Sequence, residues 1–109
     1  MNLQEKEKKA EAALLWLHTQ AEQCGLDAAT VEYLDEFRKV ELARLSKLYV
    51  GLSNAAAKDE AMCHPDYIEA LKALQSARAK HECNRLKRAA AEGYIAFYQT
   101  GSANVRANA

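Results

Sequence analysis

The chain has 109 residues, 50% of them hydrophobic and 28% charged, with four Gly and one Pro. That is one domain's length, too apolar for a disordered chain and too poor in helix breakers for an all-β fold. Fifteen basic residues balance fifteen acidic ones, which excludes a general electrostatic pull towards nucleic acid or an anionic membrane and leaves only local patches to supply one.

The opening segment Met1-Asn2-Leu3-Gln4-Glu5-Lys6-Glu7 holds no apolar signal-peptide core, and the longest apolar run, Ala12 to Leu17, is far too short to cross a bilayer. A cytoplasmic location without membrane contact is therefore expected. Three cysteines, Cys24, Cys63 and Cys83, make an odd number without paired spacing, which fits reduced thiols buried as small hydrophobes.

In chain order, Leu3, Ala10, Leu14, Leu17, Ala21 and Cys24 recur at the spacing of one apolar helix face. They predict a helix over residues 3–24, stopped by Gly25, the residue type suited to the position just past a helix end. Asp27 is placed to cap a second helix over residues 27–60, with Val31, Leu34, Phe37, Val40, Leu45, Leu48 and Leu52 as its apolar face. Gly51-Leu52-Ser53-Asn54 is its weak point, since Gly costs about 1 kcal/mol in a helix interior and Ser or Asn can start a new turn.

His64-Pro65 marks the next boundary, because Pro disfavours helix in the residue before it and suits the first helical position. A third helix is predicted over residues 65–100, with Ile68, Ala79, Cys83, Leu86, Ala90, Gly93 and Phe97 as its core face. The small, polar residues 101–109 are expected to form a flexible tail. The second and third helices have matching lengths and should form a long antiparallel hairpin turning near Met62. With an additional N-terminal helix covering part of it, this makes an all-α single domain over residues 1–100.

Arg78, His81, Arg85 and Arg88 fall within an arc of about 80° on the third helix, continuing the line of Leu71 and Leu74. This basic stripe, with Lys80 and Lys87 beside it, suits phosphate or an acidic protein surface. Against that, a hairpin turning near Met62 would set Arg85 beside Glu41 and Arg88 beside Asp35 and Glu36, so that the charges pair between helices. The stripe also lacks interleaved aromatic rings, which single-strand binding uses for stacking. Trp16 lies off the Leu14-Leu17 line and is a second candidate partner-binding residue, because Trp is enriched at interface hot spots.

Metal binding fails on geometry. Cys63-His64 and His81-Glu82-Cys83 each bring a thiol and an imidazole together in sequence, but His81 and Cys83 point about 200° apart on a helix, and the two histidines stand about 25 Å apart along it. Cys24 joining Cys63 and His64 still lacks a fourth ligand. No Gly-rich loop, nucleophile elbow or paired catalytic motif is present, so neither a metal, a cofactor nor an enzyme activity is expected. The aromatic cluster Tyr94, Ile95, Phe97 and Tyr98 is expected to pack near Val31 and Tyr33.

The run Leu34-Asp35-Glu36-Phe37-Arg38-Lys39-Val40-Glu41-Leu42-Ala43-Arg44-Leu45 is followed by His64-Pro65-Asp66-Tyr67 opening a long charged helix that closes in Phe97-Tyr98-Gln99-Thr100. Over most of residues 27–100 this order resembles small coiled-coil proteins encoded in early or recombination regions of bacteriophage genomes. The resemblance implies an accessory protein or inhibitor acting in a bacterial host cell, near DNA recombination, replication or host defence, and it carries no catalytic residues. A non-catalytic binding protein with a protein partner is thus the first expectation. A DNA-binding module using the basic stripe is the second, and a structural coiled-coil homodimer the third.

Overall fold

A computed structural model describes residues 2–108 and shows an all-α chain, with no strand among the described residues. Among the described residues three helices follow one another: α1 (Leu3–Ser46), α2 (Asn54–Met62) and α3 (Pro65–Ala107). The architecture is an antiparallel helical hairpin of α1 and α3, with α2 as a short helix in their connection. The chain divides into two compact units, one formed by the terminal segments up to Gly25 and from Glu82, the other by Leu26–His81.

The helix end expected at Gly25 does not occur, and α1 runs through it as one helix of 44 residues. Gly25 keeps an ordinary helical φ. Asp27, instead of capping a new helix, is buried and meets Lys80 Nζ at 3.2 Å. The buried or half-buried positions Ala10, Ala13, Leu17, Cys24, Asp27, Val31, Leu34, Arg38 and Leu45 keep one heptad phase across the glycine, and this continuous seam outweighs a local cost of about 1 kcal/mol.

The second predicted helix ends early, at Ser46, because Gly51 takes a left-handed φ of 93°, a conformation that residues with a Cβ rarely adopt. Ser53 then caps α2, its hydroxyl accepting from the Ala56 N–H at 3.2 Å. The hairpin therefore turns through residues 47–64 rather than near Met62 alone, and its register differs from the expected one. Pro65 opens α3 as its sequence indicates, with the His64 ring nitrogen Nδ1 accepting from the Asp66 N–H at 3.1 Å.

Within Leu26–His81, Leu45, Ala61 and Tyr67 form a buried cluster, joined by the partly buried Leu42, Tyr49 and Leu71. Leu74 is fully buried beside them in sequence on α3. Arg38 donates to Asp35 at 2.9 Å and to the Tyr67 hydroxyl at 3.4 Å. Arg44 meets Asp66 at 3.3 Å and Arg78 meets Asp35 at 3.7 Å.

Among the described residues of the terminal unit, the buried side chains are Ala10 and Ala13 of α1 and Ala91 of α3, small groups that let two helix backbones come close. Lys6 Nζ sits 4.0 Å above the Phe97 ring and Lys9 Nζ 5.0 Å from that of Tyr94. Phe97 and Tyr94 thus pack on the start of α1 within the terminal unit, whereas Val31 and Tyr33, the neighbours expected for them, belong to the other unit. The expected flexible tail is helical through Ala107. Gly101 lies close enough to α1 that a Cβ there would meet Lys6 Nζ at 3.4 Å and Leu3 Cδ1 at 3.5 Å. Ala109, the end of that expected tail, lies outside the described residues.

The core face of α3 also differs from the expected one. Ile68, Ala79, Cys83, Leu86, Ala90, Gly93 and Phe97 are all exposed, while Tyr67, Ala70, Leu74, Ala77, His81, Asn84, Ala91, Ile95 and Tyr98 are buried or half-buried. The observed set follows steps of three and four, with one step of seven from Asn84 to Ala91, and passes through alanines and polar residues, so counting large apolar side chains picks the wrong side.

Candidate interaction surface

The predicted basic stripe divides between the two units. In Leu26–His81, His81 is half-buried on the seam. Arg78 stands beside it and reaches Asp35, whose carboxyl is held below its ordinary value first by the hydrogen bond from Arg38, with Lys39, Arg38 and Arg78 adding attraction against the cost of burial. The hairpin register read from the sequence sets Asp35 beside Arg88 instead.

In the terminal unit, Arg85 and Arg88 pair within their own helix. Arg85 Nε donates to Glu82 at 2.9 Å, a bond that raises the guanidinium pKa. Arg88 reaches Glu92 at 3.3 Å. Neither contact is the interhelical one expected, with Glu41 or with Asp35 and Glu36, because α2 lengthens the connection and shifts the register. Such exposed pairs contribute little stability, but they do partly neutralise the stripe.

Trp16 has a more distinctive setting. In the terminal unit it lines a shallow groove of about 390 Å³ with Ala12, Ala90 and Tyr94, flanked by Lys9 and Lys87. Ala13 and Ala91 complete the lining, so four alanines, two aromatic rings and two lysine side chains meet there, with Lys9 Nζ 5.0 Å from the Tyr94 ring. An apolar trough with cationic edges suits a side chain that is apolar at its tip and stands near carboxylates. Sequence reasoning places Trp16 at an interface and Lys87 near the basic stripe, but does not join them.

A second apolar feature lies in Leu26–His81. Leu26, Tyr33, Phe37 and Val40 are exposed along one side of α1, and the Tyr33 and Phe37 rings stack with centroids 6.3 Å apart. The sequence spacing shows this stripe once the buried phase of α1 is known.

Among the described residues no group of three or more His, Cys, Asp or Glu side chains is placed to hold a metal ion. No helix there is long and apolar enough to cross a membrane. Comparison with protein-family models, with curated proteins and with solved structures finds no match to the chain.

Proposed function

We propose that the chain is a non-catalytic helical binding protein that docks a protein partner in the Trp16 groove. The observation that carries this reading is that Trp16 and Tyr94 line one groove with four alanines and with Lys9 and Lys87. The partner segment it fits presents an apolar side chain beside Asp or Glu. The resemblance to phage early-region and recombination-region proteins directs the search to a protein of DNA metabolism or host defence in the cytoplasm of a bacterial host.

The neutralising contacts of Arg85 and Arg88 within α3 favour a protein over DNA as partner. The test is affinity capture from host lysate with the native chain, with Trp16→Ala and with Lys9→Glu/Lys87→Glu. A protein retained by the native chain and lost with both variants, while helical circular dichroism is unchanged, supports the reading. Equal capture by all three, or salt-sensitive retention of DNA that depends on Arg78, Arg85 and Arg88, overturns it.

A further inference from the structure

Given a protein partner in the Trp16 groove, as proposed above, we infer that the partner enters as an amphipathic helix with acidic residues at two positions seven apart and apolar residues between them.

The groove repeats itself under a two-fold rotation. Lys6 Nζ lies 4.0 Å above the Phe97 ring and Lys9 Nζ 5.0 Å from that of Tyr94, so a step of three forward on α1 matches a step of three back on α3. The same antiparallel register sets Ala12 and Ala13 level with Ala91 and Ala90, and Trp16 level with Lys87. With Lys9 and Tyr94, these are the residues that line the groove. Each end therefore holds one lysine and one aromatic ring, contributed by opposite helices, and the middle holds the four alanines. Seven residues of helix separate the two ends, about 10 Å.

Both lysines are available to carboxylates. Among the described residues no Asp or Glu lines the groove, and neither Lys9 nor Lys87 makes an ion pair. Arg85 and Arg88, close by on α3, each have a carboxylate from their own helix. An occupant with an acid at each end and apolar side chains over the alanines complements the groove in charge and polarity along its whole length.

Backbone chemistry selects a helix. α1 and α3 are helical throughout the groove, so their N–H and C=O groups are already paired, and an extended segment lying there would find no partners for its own peptide groups. A helix satisfies those groups internally and presents positions i, i+3, i+4 and i+7 on one side, over the same span of about 10 Å. The occupant is a different protein, because the acidic residues of this chain that stand seven apart are Asp59 and Asp66 alone, and these straddle the break between α2 and α3.

The probe is a capped, alanine-rich helical peptide without Trp, bearing Glu at i and i+7 and Leu at i+3 and i+4. Trp16 is the single Trp of the chain, so its fluorescence reports on the groove directly. Titration should shift the Trp16 emission to saturation below about 1 mM peptide. Replacing both Glu of the peptide by Gln, or moving the second Glu to i+5 on another side of the helix, should weaken binding by about tenfold, and so should Lys9→Gln/Lys87→Gln in the protein. The peptide changes leave the protein untouched, which keeps the test independent of how the lysine variant folds. No shift up to about 1 mM peptide, or equal affinity for the three peptides, would overturn the inference. Capture from lysate that depends on Trp16 would then leave the docking reading standing and remove only the acidic helix, so the two fail separately.

Discussion

Asp27 and Lys80 meet at 3.2 Å between α1 and α3, the carboxylate side chain 8% exposed and the ammonium-bearing one 62%. The contact is asymmetric: Asp27 has left water, whereas Lys80 has not. Removing the lysine therefore leaves a buried charge with less compensation, while removing the carboxylate releases an exposed lysine to solvent. Lys80→Ala should cost about 1–3 kcal/mol, and Asp27→Leu should fall within about 1 kcal/mol of the native chain. Urea melts of the two variants check the order, and Lys80→Ala proving the milder change would contradict it.

Acid should loosen Leu26–His81 through Asp35 and Glu41. The hydrogen bonds from Arg38 and from Arg44 lower the two carboxyl pKa values, each against a smaller cost of burial. A carboxyl depressed in the folded state adds stability above its unfolded value and loses it as pH falls through the folded one. Melting temperature should therefore fall as pH drops below about 4, and less steeply in Asp35→Asn/Glu41→Gln. Parallel pH profiles for the variant and the native chain would refute this.

Leu74 and Leu86 separate the two sides of α3. Leu74→Ala removes a fully buried side chain and should cost about 2–5 kcal/mol. Leu86 is 58% exposed, and Leu86→Ala should change stability by no more than about 0.5 kcal/mol. Comparable losses in denaturant melts would contradict this placement of the seam.

Two glycines should respond to alanine with opposite signs. Gly25 sits within α1 with ordinary φ and nothing within 4 Å of an added Cβ, so Gly25→Ala should stabilise by about 0.4–1 kcal/mol. Gly51 has φ of 93°, and Gly51→Ala should destabilise by about 1 kcal/mol or more. Thermal melts decide both signs.

Local chemistry makes some of this legible in the sequence. His64-Pro65-Asp66 marks the start of α3 because a proline's constraints act on its immediate neighbours, and Ser53-Asn54 supplies a cap wherever the chain needs a new turn. What stays illegible depends on phase. Gly25 offers the same local signal whether a helix ends there or continues, and only the seam on either side decides. That seam mixes leucines with Ala10, Ala13, Ala70, Ala77 and Ala91, whose small side chains bury little area each but permit close backbone approach, and with the polar Asp27, Arg38, His81 and Asn84. The larger Leu14, Leu86 and Phe97 attract attention and lie outside it. Once the phase of α3 is misjudged, Lys87 falls to a basic stripe instead of to the rim of the Trp16 groove. The α1 stripe is likewise divided between the wrong face and a loop.

The proximity of Gly101 to Leu3 and Lys6 has a consequence for the order in which the protein is made. The start of α1 leaves the ribosome long before the residues against which it rests, and until Tyr94, Phe97 and Gly101 follow it has only local hydrogen bonds to hold it. The partners within Leu26–His81 are separated by shorter stretches of chain and can meet earlier. Assembly should accordingly proceed outward from the connection between α1 and α3, the segment about α2 closing first and the seat of Leu3 last. During synthesis, the early and unpaired start of α1 is the stretch most open to proteases and chaperones.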